Sequence, residues 1–179
     1  MKTIIFDIDG TLTDMWPIEK SVLLSMLGNT KAAEVEEIHA RGVKSTYQIF
    51  CKVLGTRITQ AEYRRLYNRD FISLERKRLL PPPQPYPTVD WIRKNRNKYH
   101  FVYATGGQKL ETAYVLKSFG IVRNFDAGYS ISKSTYPFSK STGLPFKKIK
   151  SRFPDCIVVT DSDGDVRGAK LANIPCIQI

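Results

Sequence analysis

Two aspartates near the amino terminus, Asp7 and Asp9, are separated by one residue and followed by Gly10. Residues 3–8 form a short apolar run with β-branched residues, which is typical of a buried strand. The two acids and Gly10 end this run and open a turn. Where the chain leaves the pleat, both carboxylates can turn toward the crevice in which open parallel sheets bind ligands. Carboxylates this close repel each other unless a cation lies between them, and Mg²⁺ prefers oxygen ligands.

This pair of acids indicates phosphoryl chemistry. One carboxylate can attack phosphorus and form an aspartyl-phosphate, which is nucleophilic catalysis. The second acid can give a proton to the leaving group and later take one from water. The competing interpretation is an acidic turn that caps a helix, because an Asp-x-Asp pattern by itself is common.

Further apolar runs have strand character and alternate with helical patterns. The runs lie at residues 100–104, 156–160 and 174–179, with a weaker candidate at 126–131. Helical periodicity appears at residues 108–119, 145–152 and 165–172. Strands that alternate with helices predict an α/β fold in which helices cover both faces of a parallel sheet.

Residues 17–80 differ from the rest because they carry helical periodicity and no convincing strand. Gly28, Gly42 and Gly55 punctuate these patterns, and the Pro-rich segment 81–87 cannot continue a helix. We therefore predict a sheet domain of residues 1–16 and 81–179, interrupted by a helical module of residues 17–80.

The composition limits the size of the fold, the cellular compartment and the kinds of partner. The chain has 179 residues, enough for one core with a small inserted module. Its three cysteines form no CxxC pattern, which argues against a zinc site and favours a reducing, cytoplasmic compartment. No stretch approaches the length of a membrane span. The formal net charge of +11 attracts anions, either a small phosphorylated substrate or nucleic acid.

The segment Phe6–Leu12 resembles the first motif of the haloacid dehalogenase (HAD) superfamily. The segment VVTDSDGDVRGAKLANIP, which begins at Val158, is similar to that family's fourth motif, and Thr105-Gly106-Gly107 resembles the second. The resemblance covers about the first 14 residues and residues 100–179. It implies a capped, phosphatase-like member with a Rossmann-like parallel sheet. Residues 17–80 would be the helical cap in the C1-type position, which they resemble in location and helical character.

By position, the resemblance implies that Asp7 is the nucleophile and Asp9 the general acid and base. It also implies a Mg²⁺ cofactor held by the Asp7 carboxylate, the Asp9 backbone carbonyl and Asp161. Asp165 falls on a later acid of the fourth motif, for which a water-bridged or outer role at the metal is expected. Asp163 is a weaker candidate for that role and is better interpreted as a solvated turn acid.

Two further motifs would bind the phosphate. The resemblance implies that the Thr105 hydroxyl and the Gly106 N–H donate to phosphate oxygens near the start of a helix, where anions are favoured. The third motif of the family has a lysine, often followed by proline, and this chain departs from that pattern. Lys140 is the best match, because it precedes a Gly-Leu-Pro turn and a short helix at a plausible distance from Asp161, and Lys133 is the second. A lysine is needed there because its ammonium would offset the crowded negative charge.

Several reactions are compatible with this scaffold. Asp9 argues against carbon–halogen hydrolysis, because the dehalogenase branch of the family lacks that acid. Hydrolysis of a small phosphate monoester is our prediction, and a sugar phosphomutase is the alternative that needs the same two acids. Arginines and lysines between residues 63 and 78 suggest a second phosphate or carboxylate on the substrate, although they spread around most helix faces.

A rival interpretation comes from another class of protein. The basic stretches 93–98 and 147–152 suggest a nucleic-acid-binding or regulatory protein on a degenerate phosphatase scaffold. All the expected acids are present, however, and they would repel a nucleic-acid backbone at that crevice.

Overall fold

The computed structural model describes all 179 residues, which form two compact units. One unit consists of Met1–Asp14 and Pro83–Ile179, and the other of Met15–Pro82. The module predicted at residues 17–80 lies inside the second unit.

The unit Met15–Pro82 is helical throughout. Its helices are α1 (Trp16–Leu27), α2 (Ala32–Ala40), α3 (Thr46–Leu54) and α4 (Gln60–Arg76). Gly28, Gly42 and Gly55 follow the first three helices with positive φ, a conformation that glycine adopts without steric cost. The Ser45 and Thr59 hydroxyls accept hydrogen bonds from backbone N–H groups at the starts of α3 and α4.

The other unit is built on a four-stranded parallel sheet. Its strands are β1 (Thr3–Phe6), β2 (His100–Tyr103), β3 (Cys156–Thr160) and β4 (Cys176–Gln178), in the order β2-β1-β3-β4. Phe6 is in register with Tyr103 on one side and Val159 on the other, so these three strands end at the same edge. Because β2 and β3 lie on opposite sides of β1, the connections that leave the carboxyl ends of the strands diverge and leave a crevice there.

The strand candidate at residues 126–131 is wrong. The N–H groups of Tyr129 and Ser130 donate to the Asp126 carbonyl, which closes a turn in the middle of that segment. Only two isolated bridges beside β2 remain, at Phe125 and Ile131.

Helices cover both faces of the sheet, as predicted. They are α5 (Pro87–Asn95), α6 (Lys109–Ser118), α7 (Leu144–Arg152) and α8 (Asp163–Leu171). On one face, Ile5 and its neighbours in β2 and β3 form a buried core with Phe146 of α7 and Ala169 of α8. On the other face, the Phe6 ring packs against Trp91 of α5. Strand residues alternate between these two cores. None of the helices combines the length and the apolar character that a membrane span requires.

Candidate active site

A buried ion pair lies at the end of β1. Asp7 directly follows this strand, and its N–H donates to the Val159 carbonyl of β3 at 3.0 Å. Its Oδ1 accepts a hydrogen bond from the Ile8 N–H at 2.8 Å. The same oxygen lies 2.7 Å from Nζ of Lys140. Both contacts use Oδ1, so Oδ2 is the oxygen left to attack a substrate or bind a cation.

Lys140 brings a second carboxylate to the same place. Its Nζ lies 2.5 Å from Oδ2 of Asp165, which also accepts a hydrogen bond from the Thr160 hydroxyl at 3.1 Å. Lys140 opens a short 3₁₀ turn before α7, whereas Asp165 lies in the first turn of α8. The ammonium therefore bridges two acids that come from distant parts of the sequence.

Burial and the ion pair have opposing effects on the pKa values of these two groups. Burial raises the pKa of Asp7 to about 7, because the Lys140 ammonium, which lowers it, only partly compensates for desolvation. For Lys140, burial lowers the pKa, but the carboxylates of Asp7 and Asp165 raise it more, so that the net shift is upward. Lys140 is thus held in its charged form, and one ammonium does not fully offset the two acids.

The loop after β1 lies directly against Asp161. Gly10 has a φ of 74°, and a Cβ at this position would lie 2.1 Å from Oδ2 of Asp161. Glycine is therefore needed both for the backbone conformation and for the close approach. Through this contact the Asp161 carboxylate, at the end of β3, lies beside the segment that carries Asp7 and Asp9, and Asp9 itself is exposed.

The loop after β2 provides hydrogen-bond donors. Thr105 is buried, and its hydroxyl oxygen accepts from the Gly107 N–H at 3.0 Å, which leaves the hydroxyl proton free to be donated. Gly106 is exposed, and a Cβ there would meet nothing within 4 Å. Both residues precede α6, whose first N–H groups favour anions.

The backbone of Lys140 is fixed by a glycine of α8. A Cβ on Gly168 would lie 2.0 Å from the Lys140 carbonyl oxygen, closer than a real Cβ can approach. The same carbonyl accepts a hydrogen bond from the Gly143 N–H at 2.9 Å. Helix α8 thus holds the Lys140 main chain through Gly168 and its ammonium through Asp165.

The other two candidates lie outside this group. The Lys133 side chain is exposed and forms no ion pair, although its N–H donates to the Gly107 carbonyl at 3.2 Å. Asp163 is also exposed, and its Oδ1 accepts from Nε2 of Gln178 at 2.9 Å.

Sequence reasoning missed two residues near the acids. Burial raises the pKa of Tyr86, and the negative charges of Asp14, Asp9 and Asp161 raise it further. Gln178, in the last strand, donates from Nε2 to the Asp161 carbonyl at 3.3 Å. The hydrogen bond from the Tyr86 N–H to the Leu12 carbonyl is tertiary, and Gln178 reaches Asp161 only because β4 pairs with β3. Neither contact has a local sequence signal.

The expected metal ligands are oxygen donors, the kind that Mg²⁺ prefers. No three His, Cys, Asp or Glu side chains of the chain lie together as metal ligands. Mg²⁺ usually takes one or two carboxylates and keeps several waters, so a set of the Asp7 and Asp161 carboxylates and the Asp9 carbonyl suits its preferences. The raised pKa of Asp7 also indicates a place where an added positive charge would stabilise the carboxylate.

Residues 1–173 match a family model described as haloacid dehalogenase-like hydrolase. Two phosphatases are similar to nearly the whole chain. Fructose-1-phosphate phosphatase YqaB of Escherichia coli (strain K12) is 21% identical over 179 residues, which cover 98% of this chain and 95% of that protein. Phosphoglycolate phosphatase of Aquifex aeolicus (strain VF5) is 24% identical over 182 residues, which cover 96% of this chain and 81% of that protein.

Solved structures share the fold. A HAD hydrolase of family IA, variant 3, from Entamoeba histolytica HM-1:IMSS has a TM-score of 0.75 and 16% identity, with coverage of 100% of this chain and 84% of that one. The HAD-hydrolase YfnB of Bacillus subtilis, solved bound to magnesium, has a TM-score of 0.66 and 18% identity, with coverage of 99% and 86%.

Proposed function

Because the chain belongs to the haloacid dehalogenase-like hydrolase family, we propose that it is a Mg²⁺-dependent phosphatase that hydrolyses a small phosphate monoester through an aspartyl-phosphate on Asp7. The family and the hydrolase class predicted from the sequence are thereby confirmed, and both phosphatase relatives agree with the phosphatase class. The observation that carries the proposal is the buried Asp7 carboxylate, whose Oδ1 is held by Lys140 and Ile8 while Oδ2 stays available.

The first half-reaction forms the intermediate. The Asp7 carboxylate attacks phosphorus, the bond between phosphorus and the ester oxygen breaks, and Asp9 donates a proton to the departing alcohol. Thr105 and Gly106 donate hydrogen bonds to phosphate oxygens, and Lys140 offsets the charge that gathers on them. Mg²⁺, held by Asp7, Asp161 and the Asp9 carbonyl, would supply further neutralisation of the phosphate and the acids.

The second half-reaction restores the enzyme. Asp9, now a carboxylate, takes a proton from a water that attacks phosphorus, and the bond between phosphorus and Asp7 breaks to release inorganic phosphate. Asp165 acts on Lys140 in this scheme, because its Oδ2 binds both the ammonium and the Thr160 hydroxyl. We assign it this orienting role and not direct metal ligation.

Asp7→Asn tests the proposal. The amide is not nucleophilic, so we expect turnover of p-nitrophenyl phosphate to disappear while the circular dichroism spectrum stays unchanged. Beryllofluoride should form an adduct on the wild-type carboxylate, visible by fluorine NMR, and none on the variant. Asp163→Asn is the matched control, since this acid is exposed and its side chain hydrogen-bonds to Gln178 and not to the Asp7 group. Turnover of Asp7→Asn close to that of wild type would refute the nucleophile.

A second experiment identifies the substrate class and distinguishes hydrolysis from the mutase reaction. A panel of phosphorylated metabolites that includes fructose 1-phosphate and phosphoglycolate, the substrates in the names of the two relatives, should release inorganic phosphate with Mg²⁺ and none with EDTA. A rearranged sugar phosphate without phosphate release would favour the mutase alternative.

A further inference from the structure

A stretch of the sheet unit carries only positive charge. Between Asp126 and Asp155 the chain has no acidic residue. Its cations are Lys133, Lys140, Lys147, Lys148, Lys150 and Arg152. Lys140 belongs to the active site, and Lys150 donates to the Ala172 and Asn173 carbonyls after α8. The remaining cations, Lys133, Lys147, Lys148 and Arg152, form no ion pair, so this stretch carries an excess of positive charge.

Two of these cations lie over aromatic rings. Nζ of Lys148 is 4.7 Å from the centre of the Tyr136 ring, and the Arg152 guanidinium is 5.4 Å from that of Tyr129. Lys148 and Arg152 are four residues apart in α7, which places both on the same face of the helix. Two cations on one exposed face of α7 therefore each lie over an aromatic ring.

Each ring is paired with a second one. Tyr136 contacts Phe138 with ring centres 5.2 Å apart, and Tyr129 contacts Phe153 edge-on at the same distance. Tyr136 and Phe153 also pack against the buried core, which fixes both pairs to the fold. Phe138 is 52% exposed and Tyr129 is 42% exposed, so each pair presents one ring to solvent.

We propose that this surface binds single-stranded nucleic acid. It is called the α7 strip below and consists of Tyr129, Tyr136, Phe138, Lys148, Arg152 and Phe153. Proteins that bind single strands combine cations along the backbone with aromatic side chains on which unpaired bases stack, and the α7 strip offers both on a rigid support. An acidic membrane surface would satisfy the cations but has no bases for the exposed rings.

The other basic stretch has an exposed ring nearby, Trp91, which stacks on Tyr99, but it has no cation over a ring. At residues 93–98, Arg93 pairs with Asp90 at 2.7 Å. The stretch begins in α5, which covers the opposite face of the sheet. Lys94 and Arg96 are exposed there and provide a control with the same change of charge.

Fluorescence anisotropy of the full chain with a labelled oligothymidine of about 15 nucleotides tests the proposal. The strand carries no terminal phosphate, so the result is independent of the proposed hydrolysis. We expect Tyr129→Ala and Phe138→Ala each to weaken binding by about tenfold, because each removes a stacking surface. The double variant Lys148→Ala/Arg152→Ala should lower the slope of log affinity against log salt by about 1 to 2.

The control variant Lys94→Ala/Arg96→Ala should change affinity by less than about twofold at physiological salt. Full affinity in both ring variants, or an equal loss in the control, would show that net charge alone attracts the strand and would overturn the α7 strip as the site. Absence of binding would also overturn it, as would binding to phosphatidylserine vesicles without binding to oligothymidine.

Discussion

At the scale of single residues, the site is centred on the Lys140 ammonium, which offsets only part of the cost of burying the Asp7 carboxylate. Lys140 contacts Asp7 and Asp165 at 2.7 and 2.5 Å, yet burial still raises the pKa of Asp7 to about 7. A carboxyl in that condition is only partly ionised at neutral pH until another cation arrives. The proton on Asp7 and the proposed Mg²⁺ ion would therefore compete for this carboxylate.

This competition predicts a pH-dependent affinity for Mg²⁺. Between about pH 5 and pH 7 the folded protein keeps a proton on Asp7, since its pKa is raised, and metal binding must release it. Affinity measured by calorimetry without substrate should rise by up to about tenfold for each pH unit and level off above about pH 7. Affinity that stays flat over this range would contradict the raised pKa.

The lysine of the third motif gives a second prediction. Lys140→Met removes the charge that orients Asp7, and we expect kcat to fall on the order of 100-fold, as when one preorganised donor of an active site is lost. It should also lower the stability toward urea, because two buried carboxylates lose their partner. Lys133→Met should behave like wild type, since that side chain is exposed without an ion pair. The reverse result would reassign the motif.

At the scale of elements, α8 and the turn before α7 act as one support. Gly168 leaves room for the Lys140 carbonyl, Asp165 holds the ammonium, and Gly143 takes a φ of 75° where the turn meets α8. A Cβ on Gly143 would itself lie 2.9 Å from the Gly168 carbonyl oxygen. Close packing between the backbones of α8 and of the turn before α7 thus sets the position of Lys140, whose ammonium contacts Asp7.

Gly168→Ala tests this support. The added methyl must displace the Lys140 turn, and a shift of about 1 Å at a reacting group can cost on the order of 100-fold in kcat. Gly164→Ala is the matched control in the same helix, because its Cβ would come no closer than 3.4 Å to any atom. We expect it to stay within about twofold of wild type, since alanine favours helices.

A double variant separates positioning from a general effect on folding. If Gly168 acts through Lys140, Gly168→Ala should cost no further kcat in a Lys140→Met background. A full additional loss there would show that Gly168 supports the fold in a different way.

At the scale of the whole molecule, charge is the property that extends beyond any one contact. The formal net charge is +11, and the arginines and lysines at residues 64–65, 69 and 76–78 are all exposed. A positive field of this size speeds the approach of anionic substrates and is screened by salt.

The corresponding prediction concerns ionic strength. Raising NaCl from about 50 mM to about 500 mM should lower kcat/KM for an anionic phosphate ester and leave kcat nearly constant, because screening acts on encounter and not on the buried ion pair. Sucrose at matched viscosity serves as the control. A salt-independent kcat/KM would show that the net charge plays no part in capture.

The sequence by itself determined the elements and the acids at their ends. Apolar runs closed by acids or glycines placed Asp7 and Asp161 after β1 and β3, and the family motifs gave their expected roles. Periodicity also located α6, α7 and α8 and the helical character of residues 17–80, but it gave no bounds for α5. It failed at residues 126–131, where hydrogen bonds to the Asp126 carbonyl close a turn.

Only the tertiary structure decided which groups meet. The fold brings Lys140, and not Lys133, into contact with Asp7, and Asp165 binds the same ammonium. It also brings Tyr86 and Gln178 near the acids. These contacts join segments far apart in the chain. Their geometry follows from the strand order β2-β1-β3-β4 and from the space left by Gly10 and Gly168, neither of which is encoded in a local pattern.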